Sequence, residues 1–266
     1  MMNRIEQKSS WLKKNRKKAC IAYITAGFPN LKTTKTAVKI LEENGVDIIE
    51  LGMPFSDPIA DGPTIQYASG VALKNGMNMH VFFDLVGELR KTTQIPLVIM
   101  SYYNPIFKFG VKRFALEAAK SGLDGVIVPD LPPEEAVELN DQLRARGISE
   151  IFLVSPVTAA ERVKKIVSAA SGFVYYVSLT GVTGARNVVP SGVIGQVQAI
   201  KRLTTLPVYV GFGVSTAGQA KSIVKTADGI IVGSAIIKLI ERYHSSRLFA
   251  KKLGAYINSL SRVMPY

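Results

Sequence analysis

An acidic side chain inside an apolar strand is costly unless it is paired or put to use. This chain has one at Glu50, in the run Asp47-Ile48-Ile49-Glu50-Leu51-Gly52. Two readings fit: a salt-bridged core glutamate, or a carboxyl aimed out of the strand end into a pocket, where burial tunes it for proton transfer. The segment that follows, Met53 to Pro63, adds Asp57 and Asp61, and prolines at 54, 58 and 63 restrict its backbone into a shaped, substrate-covering loop. Asp61 either joins Glu50 as a second carboxylate or caps a helix opening at Pro63 or Thr64. Asp130 lies just past another apolar run and can contact substrate, organise a loop or cap a helix. Tyr23, Tyr102 and Tyr175 fall at or near the ends of apolar runs, suited to wall a flat apolar ligand or simply to pack the core.

A second kind of chemistry gathers in glycine-rich segments. Thr180-Gly181-Val182-Thr183-Gly184-Ala185, Gly211-Phe212-Gly213-Val214-Ser215 and Gly233-Ser234-Ala235 each end an apolar run. Glycine lets the backbone approach an anion, and amides at a helix start donate to it. Each segment alone is an ordinary turn; the set predicts a phosphate site at Gly184, Gly213, Gly233 and Ser234. None of the three contains lysine or arginine, so the amide dipoles must do the holding.

These residues need a frame. Apolar runs stand at 21–25, 48–51, 97–102, 125–128, 151–154, 173–177, 208–211 and 229–232. Most are continuous rather than alternating, as expected of parallel strands covered on both faces. Helical patterns lie between them at 33–43, 79–91, 112–121, 134–146, 159–169, 193–203 and 216–224. The expected architecture is α/β: a (β/α)₈ TIM barrel, one domain over residues 1–266, with its site at the C-terminal strand ends. An open doubly wound sheet is the alternative, but no Gly-x-Gly-x-x-Gly follows the first strand. Extra helices are expected at 5–14, where Ile5 and Trp11 would cap the barrel's base, near 64–73, and at 247–260.

Composition narrows the function. One cysteine, Cys20, and two histidines, His80 and His244, leave no thiolate cluster or histidine-rich metal centre, so no metal is expected. No apolar run approaches the roughly 20 residues that span a bilayer, and the charged start lacks a signal-peptide pattern. No membrane is therefore expected, and a cytoplasmic setting, or an organelle stroma such as a plastid, fits. The net charge of +13 gathers partly at the ends, in Lys8, Lys13, Lys14, Arg16, Lys17 and Lys18 and in Arg242, Arg247, Lys251, Lys252 and Arg262. With no zinc-finger spacing or aromatic RNA-binding motif beside it, this charge predicts a solvated surface and no nucleic acid.

The run Glu50-Leu51-Gly52-Met53-Pro54-Phe55-Ser56-Asp57-Pro58-Ile59-Ala60-Asp61-Gly62-Pro63 resembles the signature of the tryptophan synthase alpha chain family. Tyr23-Ile24-Thr25-Ala26-Gly27-Phe28-Pro29, Tyr102-Tyr103-Asn104-Pro105, Pro129-Asp130-Leu131-Pro132 and Gly181-Val182-Thr183-Gly184 extend it along essentially the whole chain. The resemblance implies a retro-aldol cleavage of indole-3-glycerol phosphate to indole and glyceraldehyde 3-phosphate, with no cofactor in this chain. It implies Glu50 as acid/base and Asp61 as partner of the indole N–H. Tyr23, Tyr102, Tyr175 and Phe212 would line the pocket, and Thr183 would bond Asp61 as a mobile loop closes. It also implies a pyridoxal-phosphate beta chain as partner in an alpha2-beta2 heterotetramer, docked near Pro54, Asp57, Asn104, Phe107 and Pro132. Leu179 and Thr180 depart from the family pattern, since some members carry arginine at the former position. Another phosphate-binding barrel enzyme and a catalytically silent scaffold are the competing functions. The Glu50 and Asp61 pair argues against both.

Overall fold

The computed structural model describes residues 2–177, 191–211 and 213–264. Parallel strands β1 (Ala19–Thr25), β2 (Ile48–Gly52), β3 (Leu97–Met100), β4 (Gly125–Ile127), β5 (Ser149–Ile151), β6 (Leu153–Val154), β7 (Val174–Val177), β8 (Val208–Gly211) and β9 (Gly229–Val232) form one sheet in the order β5-β4-β3-β2-β1-β9-β8-β7-β6. Its two outer strands, β5 and β6, flank a single residue, Phe152, and so are halves of one barrel position. The sheet is thus a nearly closed (β/α)₈ TIM barrel, as the apolar runs predict.

Side chains alternate between two cores. Ile21, Ile48, Val98, Ile127, Ile151, Phe173, Tyr209 and Ile231 fill the barrel interior, whereas their neighbours Ala22, Ile49, Ile99, Val126, Val174, Val210 and Ile230 face the helices. Both faces of each strand are therefore apolar, which explains the continuous runs in the sequence.

The helices around the sheet begin where the sequence supplies caps. Asn30 accepts from the Thr33 amide at 2.8 Å to open α2 (Leu31–Glu43), and Asn78 accepts from His80 and Val81 to open α4 (Met79–Arg90). α3 (Pro63–Lys74), α6 (Val111–Ser121), α7 (Val137–Arg144), α8 (Ala160–Ala169), α9 (Ser191–Lys201), α10 (Ala217–Ile223) and α12 (Phe249–Ser261) answer to the remaining sequence patterns. Two helices were not expected: α5 (Tyr103–Phe109) and α11 (Ser234–Tyr243).

The base of the barrel is sealed by α1 (Arg4–Lys14). Ile5 is fully buried in the interior, and a Cβ on Gly125 would lie 2.8 Å from its Cδ1, so the plug fits only above a glycine. Trp11 does not share this task as expected: it is 47% exposed, and Leu12 packs inward in its place. Leu12 is seven residues from Ile5, two turns on, and so shares its inward face, while Trp11, about 100° away on the helix, does not.

Asp124 latches this end. It is buried, pairs with Arg90 at 2.5 Å and Arg4 at 3.0 Å, and accepts the Leu97 amide at 2.9 Å. Arg90 is itself largely buried, and it also donates to the Gly122 and Ile95 carbonyls. Removing the carboxylate strands a buried guanidinium, so Asp124→Ala is expected to cost about 3 kcal/mol or more of stability. Denaturant unfolding checks this, and a loss within a few tenths of a kcal/mol would contradict the latch.

Candidate active site

Interior-facing positions at the C-terminal strand ends build the mouth. On β2, Ile48 and Glu50 share the inward face, and the register sets Glu50 beside Tyr23 of β1. Glu50 is fully buried, and neither carboxyl oxygen has a hydrogen-bond partner among the described residues. Burial pushes its carboxyl up to about 8. The reading of a salt-bridged core glutamate therefore fails: the described residues supply no counter-ion. What remains is a neutral acid on the interior face of the barrel, beside Tyr23, with a pKa near neutral pH.

Glu150 shows why a raised pKa alone does not make a site. It too is buried, without a described partner, and pushed up to about 8 by burial. Its neighbour Ile151 faces the interior, so Glu150 faces the helix layer, away from the mouth.

Asp61 rides on the loop between β2 and α3. The N-cap of α3 is Gly62, with no side-chain cap bond, so Asp61 is not the helix cap. Its Oδ2 accepts from the Tyr102 hydroxyl at 3.2 Å, and that same hydroxyl accepts the Ala60 amide at 2.9 Å. Phe55 packs against Tyr102 at 5.3 Å between ring centroids. One tyrosine thus holds the loop over the mouth. Burial pushes Asp61 up to about 6, the Tyr102 hydroxyl opposing. At neutral pH the two acids divide: Asp61 is mostly ionised and Glu50 mostly protonated.

Three tyrosines wall this pair. Burial, then the charge of Asp61, raises Tyr23; burial, then Glu50, raises Tyr175; burial, then Asp61, raises Tyr102. All three stay neutral donors. The positions of Tyr23 and Tyr175 depend on glycines that the sequence did not single out as site residues. A Cβ on Gly52 would lie 2.1 Å from the Tyr23 hydroxyl oxygen, and one on Gly211 would lie 2.4 Å from that of Tyr175. A glycine closing an apolar strand one layer above an inward tyrosine is the sequence signal that would have found them.

Among the expected phosphate groups, Gly213 has φ +79°, a conformation costly to any other residue. Gly233, just past the end of β9, is the N-cap of α11 and Ser234 its first residue, so the start of that helix lies at a strand end. Gly184, Thr183, Phe212, Leu179 and Thr180 lie outside the described residues. Asp130 takes the organising role: its Oδ1 accepts the Tyr103 amide at 2.9 Å, fixing the turn that carries Tyr102.

The fold and this mouth define a TIM-barrel enzyme with two acids and three tyrosines at the C-terminal strand ends. The chain belongs to the tryptophan synthase alpha chain family, whose sequence profile matches residues 10–263. The alpha chain of Geotalea daltonii is 48% identical over 259 residues, covering 97% of this chain and 98% of that one. That of Citrifermentans bemidjiense is 45% identical over 261 residues, covering 98% and 97%. Among solved structures, the Legionella pneumophila alpha subunit superposes with a TM-score of 0.91 at 38% identity, covering 99% of this chain and 98% of that one. Mycobacterium tuberculosis tryptophan synthase gives 0.91 at 34% identity, covering 100% of both chains. The chain is accordingly a carbon–carbon lyase of tryptophan biosynthesis, cleaving indole-3-glycerol phosphate to indole and glyceraldehyde 3-phosphate.

The close approach at Gly52 generates a prediction. Gly52→Ala must push the Tyr23 hydroxyl away from Glu50, and it is expected to lower kcat/KM at least about 10-fold. Steady-state kinetics with a circular-dichroism check on folding tests this. Unchanged kinetics would show that Tyr23 is not held by that contact.

Proposed function

We propose that Glu50 and Asp61 carry the cleavage between them. The Glu50 carboxyl gives its proton to indole C3, and the ring becomes an iminium whose positive charge centres on N1. The Asp61 carboxylate accepts the N1–H bond and stabilises that charge without itself reacting. The Glu50 carboxylate then takes the proton of the glycerol hydroxyl next to the scissile bond. That oxygen becomes the aldehyde, the carbon–carbon bond breaks, and its electrons return to the ring. Indole leaves with the proton from Glu50, and Glu50 is again protonated. Tyr175 contacts the glycerol end, Tyr23, Tyr102 and Phe212 wall the ring, and Thr183 bonds Asp61 on closure. Gly184, Gly213, Gly233 and Ser234 hold the phosphate.

The observation that carries this reading is the carboxyl of Glu50, fully buried and without a hydrogen-bond partner among the described residues. A barrel interior has no structural reason to keep such a group.

The partner in this reading is a tryptophan synthase beta chain holding pyridoxal phosphate, in an alpha2-beta2 assembly that receives indole and stabilises the closed loops. Phe107, 65% exposed on α5, the exposed Asp57 and Asn104 and the half-buried Pro132 support a docking face beside the mouth, with the buried Pro54 beneath it. The whole chain acts as one domain, in the cytoplasm or an organelle stroma. No described helix is long and apolar enough to cross a membrane.

Indole release from indole-3-glycerol phosphate, with and without a compatible beta chain, tests both parts. Release is expected from the chain alone and to be stimulated by the partner. Glu50→Gln is expected to lower kcat by about 10²–10⁴-fold. For the wild type, kcat/KM should rise through pH about 6 as Asp61 ionises and fall through about 8 as Glu50 loses its proton. Stability follows the same group. Because the folded pKa of Glu50 lies above its unfolded value, its contribution is fully present below the unfolded pKa and is lost as pH rises through about 8. Glu50→Gln should therefore be more stable than wild type in alkali. Full activity in a folded Glu50→Gln protein would overturn the assignment, as would a pH profile flat from 5 to 9.

A further inference from the structure

Thr25 closes β1 and has no part in the cleavage as assigned to Glu50 and Asp61, yet the fold leaves its hydroxyl open. Along β1 the side chains alternate, Ile21 and Tyr23 facing the barrel interior and Ala22 and Ile24 the helices. Thr25 therefore faces the interior, one layer above Tyr23. The register sets it beside Gly52, which brings no side chain, just as Tyr23 stands beside Glu50. Thr25 is 1% exposed, and its hydroxyl has no hydrogen-bond partner among the described residues. The Tyr23 phenol lies close enough to feel it. Burial and the charge of Asp61 push that phenol up and Thr25 opposes them, without a formed bond between the two hydroxyls.

A buried hydroxyl without a partner destabilises a fold, and valine would fill the same place in a strand without that penalty. Among the described residues, only Thr25, Glu50 and Glu150 keep buried side-chain oxygens in this state. Glu150 faces the helix layer, whereas Thr25 and Glu50 stand on adjacent strands of the mouth, one layer apart. Thr25 is the nearer of the two to the C-terminal strand ends. A ligand that brings a reacting atom down to Glu50 from that side passes the Thr25 hydroxyl.

We propose that Thr25 binds substrate, its hydroxyl donating to the oxygen of the glycerol hydroxyl next to the scissile bond. The inference rests on the reading of Glu50 as the base that takes that hydroxyl's proton. As the proton leaves, negative charge builds on the oxygen, and a fixed neutral donor stabilises it until the aldehyde forms. Thr25 itself neither gains nor loses a proton. Held by the fold without a partner, its hydroxyl makes this bond without breaking another.

Thr25→Val keeps the shape of the side chain and removes the hydroxyl. It is expected to lower kcat/KM for indole-3-glycerol phosphate at least about 10-fold, the worth of one hydrogen bond, and Thr25→Ser to restore most of the loss. Should Thr25→Val fail to fold, Thr25→Ala replaces it with the same expectation. The companion measurement is the Kd of 3-indolepropyl phosphate, which has the ring and the phosphate but neither glycerol hydroxyl. That Kd should stay within about 2-fold of the wild type's, since no bond to this ligand is lost. In a Tyr23→Phe background, Thr25→Val should lower kcat/KM by the same factor, because the hydroxyl acts on substrate and not through Tyr23. Wild-type kinetics in Thr25→Val overturn the proposal, and an inactive Glu50→Gln in the same assay leaves the Glu50 reading standing. An effect that vanishes in the Tyr23→Phe background overturns it too, making Thr25 a support for Tyr23. So does an equal loss of affinity for 3-indolepropyl phosphate, which would make it a packing residue. Full activity in a folded Glu50→Gln protein removes the Glu50 reading and this inference with it.

Discussion

The structure of the mouth follows from one unfavourable placement: a carboxyl buried inside an apolar barrel with no described partner. A charged Glu50 at that depth would be costly, so the fold holds it as a neutral acid, its carboxyl pushed up to about 8. The rest of the mouth is arranged around that condition. Gly52 leaves space for the Tyr23 hydroxyl, Gly211 for that of Tyr175, and Tyr102 pins the loop that brings Asp61 over the site. A rule of good packing is broken at Glu50 and again at Glu150, but of these two acids only Glu50 is on the interior face at the strand ends.

The barrel separates stability from reactivity along its axis. At the base, polar groups are matched: Asp124 engages two arginines and a backbone amide, Asn3 ties α1 to the start of β5 through Ser149, and Ile5 fills the interior above Gly125. At the mouth, polar groups are left open, and a rigid base is what allows them to stay so without the strands rearranging. The raised pKa of Glu50 and its orientation then do different work. Glu150 shares the first and lacks the second, and it sits against the helices with no access to a substrate.

Much of this was legible in the residues. Continuous apolar runs located the strands because both faces of each are covered, and Glu50 stood out as the acid inside one. The boundaries that failed did so for local reasons. The third run extends through Tyr102, but the strand stops at Met100 because Tyr102 turns to cap α5 and to hold the loop. The fifth starts earlier, at Ser149, since polar Ser149 and Glu150 conceal a buried strand that then breaks at Phe152. Asp61 could not be settled as cap or carboxylate from its neighbours, because the answer depends on Tyr102, distant in sequence. Gly52 and Gly211 showed only as glycines closing apolar strands, because the tyrosines that need their space lie on the neighbouring strands. Trp11 was read as a plug because hydrophobicity shows that a side chain can be buried, not which face of a helix turns inward.

The central claim is that Glu50 is a protonated acid at neutral pH in the free chain. The direct measurement is a carbon-13 NMR titration of the glutamate side-chain carboxyls, with Glu50→Gln identifying the resonance. The account predicts a midpoint near 8 for Glu50. A midpoint in the ordinary carboxylate range, near 4.5, would show the group ionised at neutral pH and contradict its proposed role as the acid that begins the cleavage.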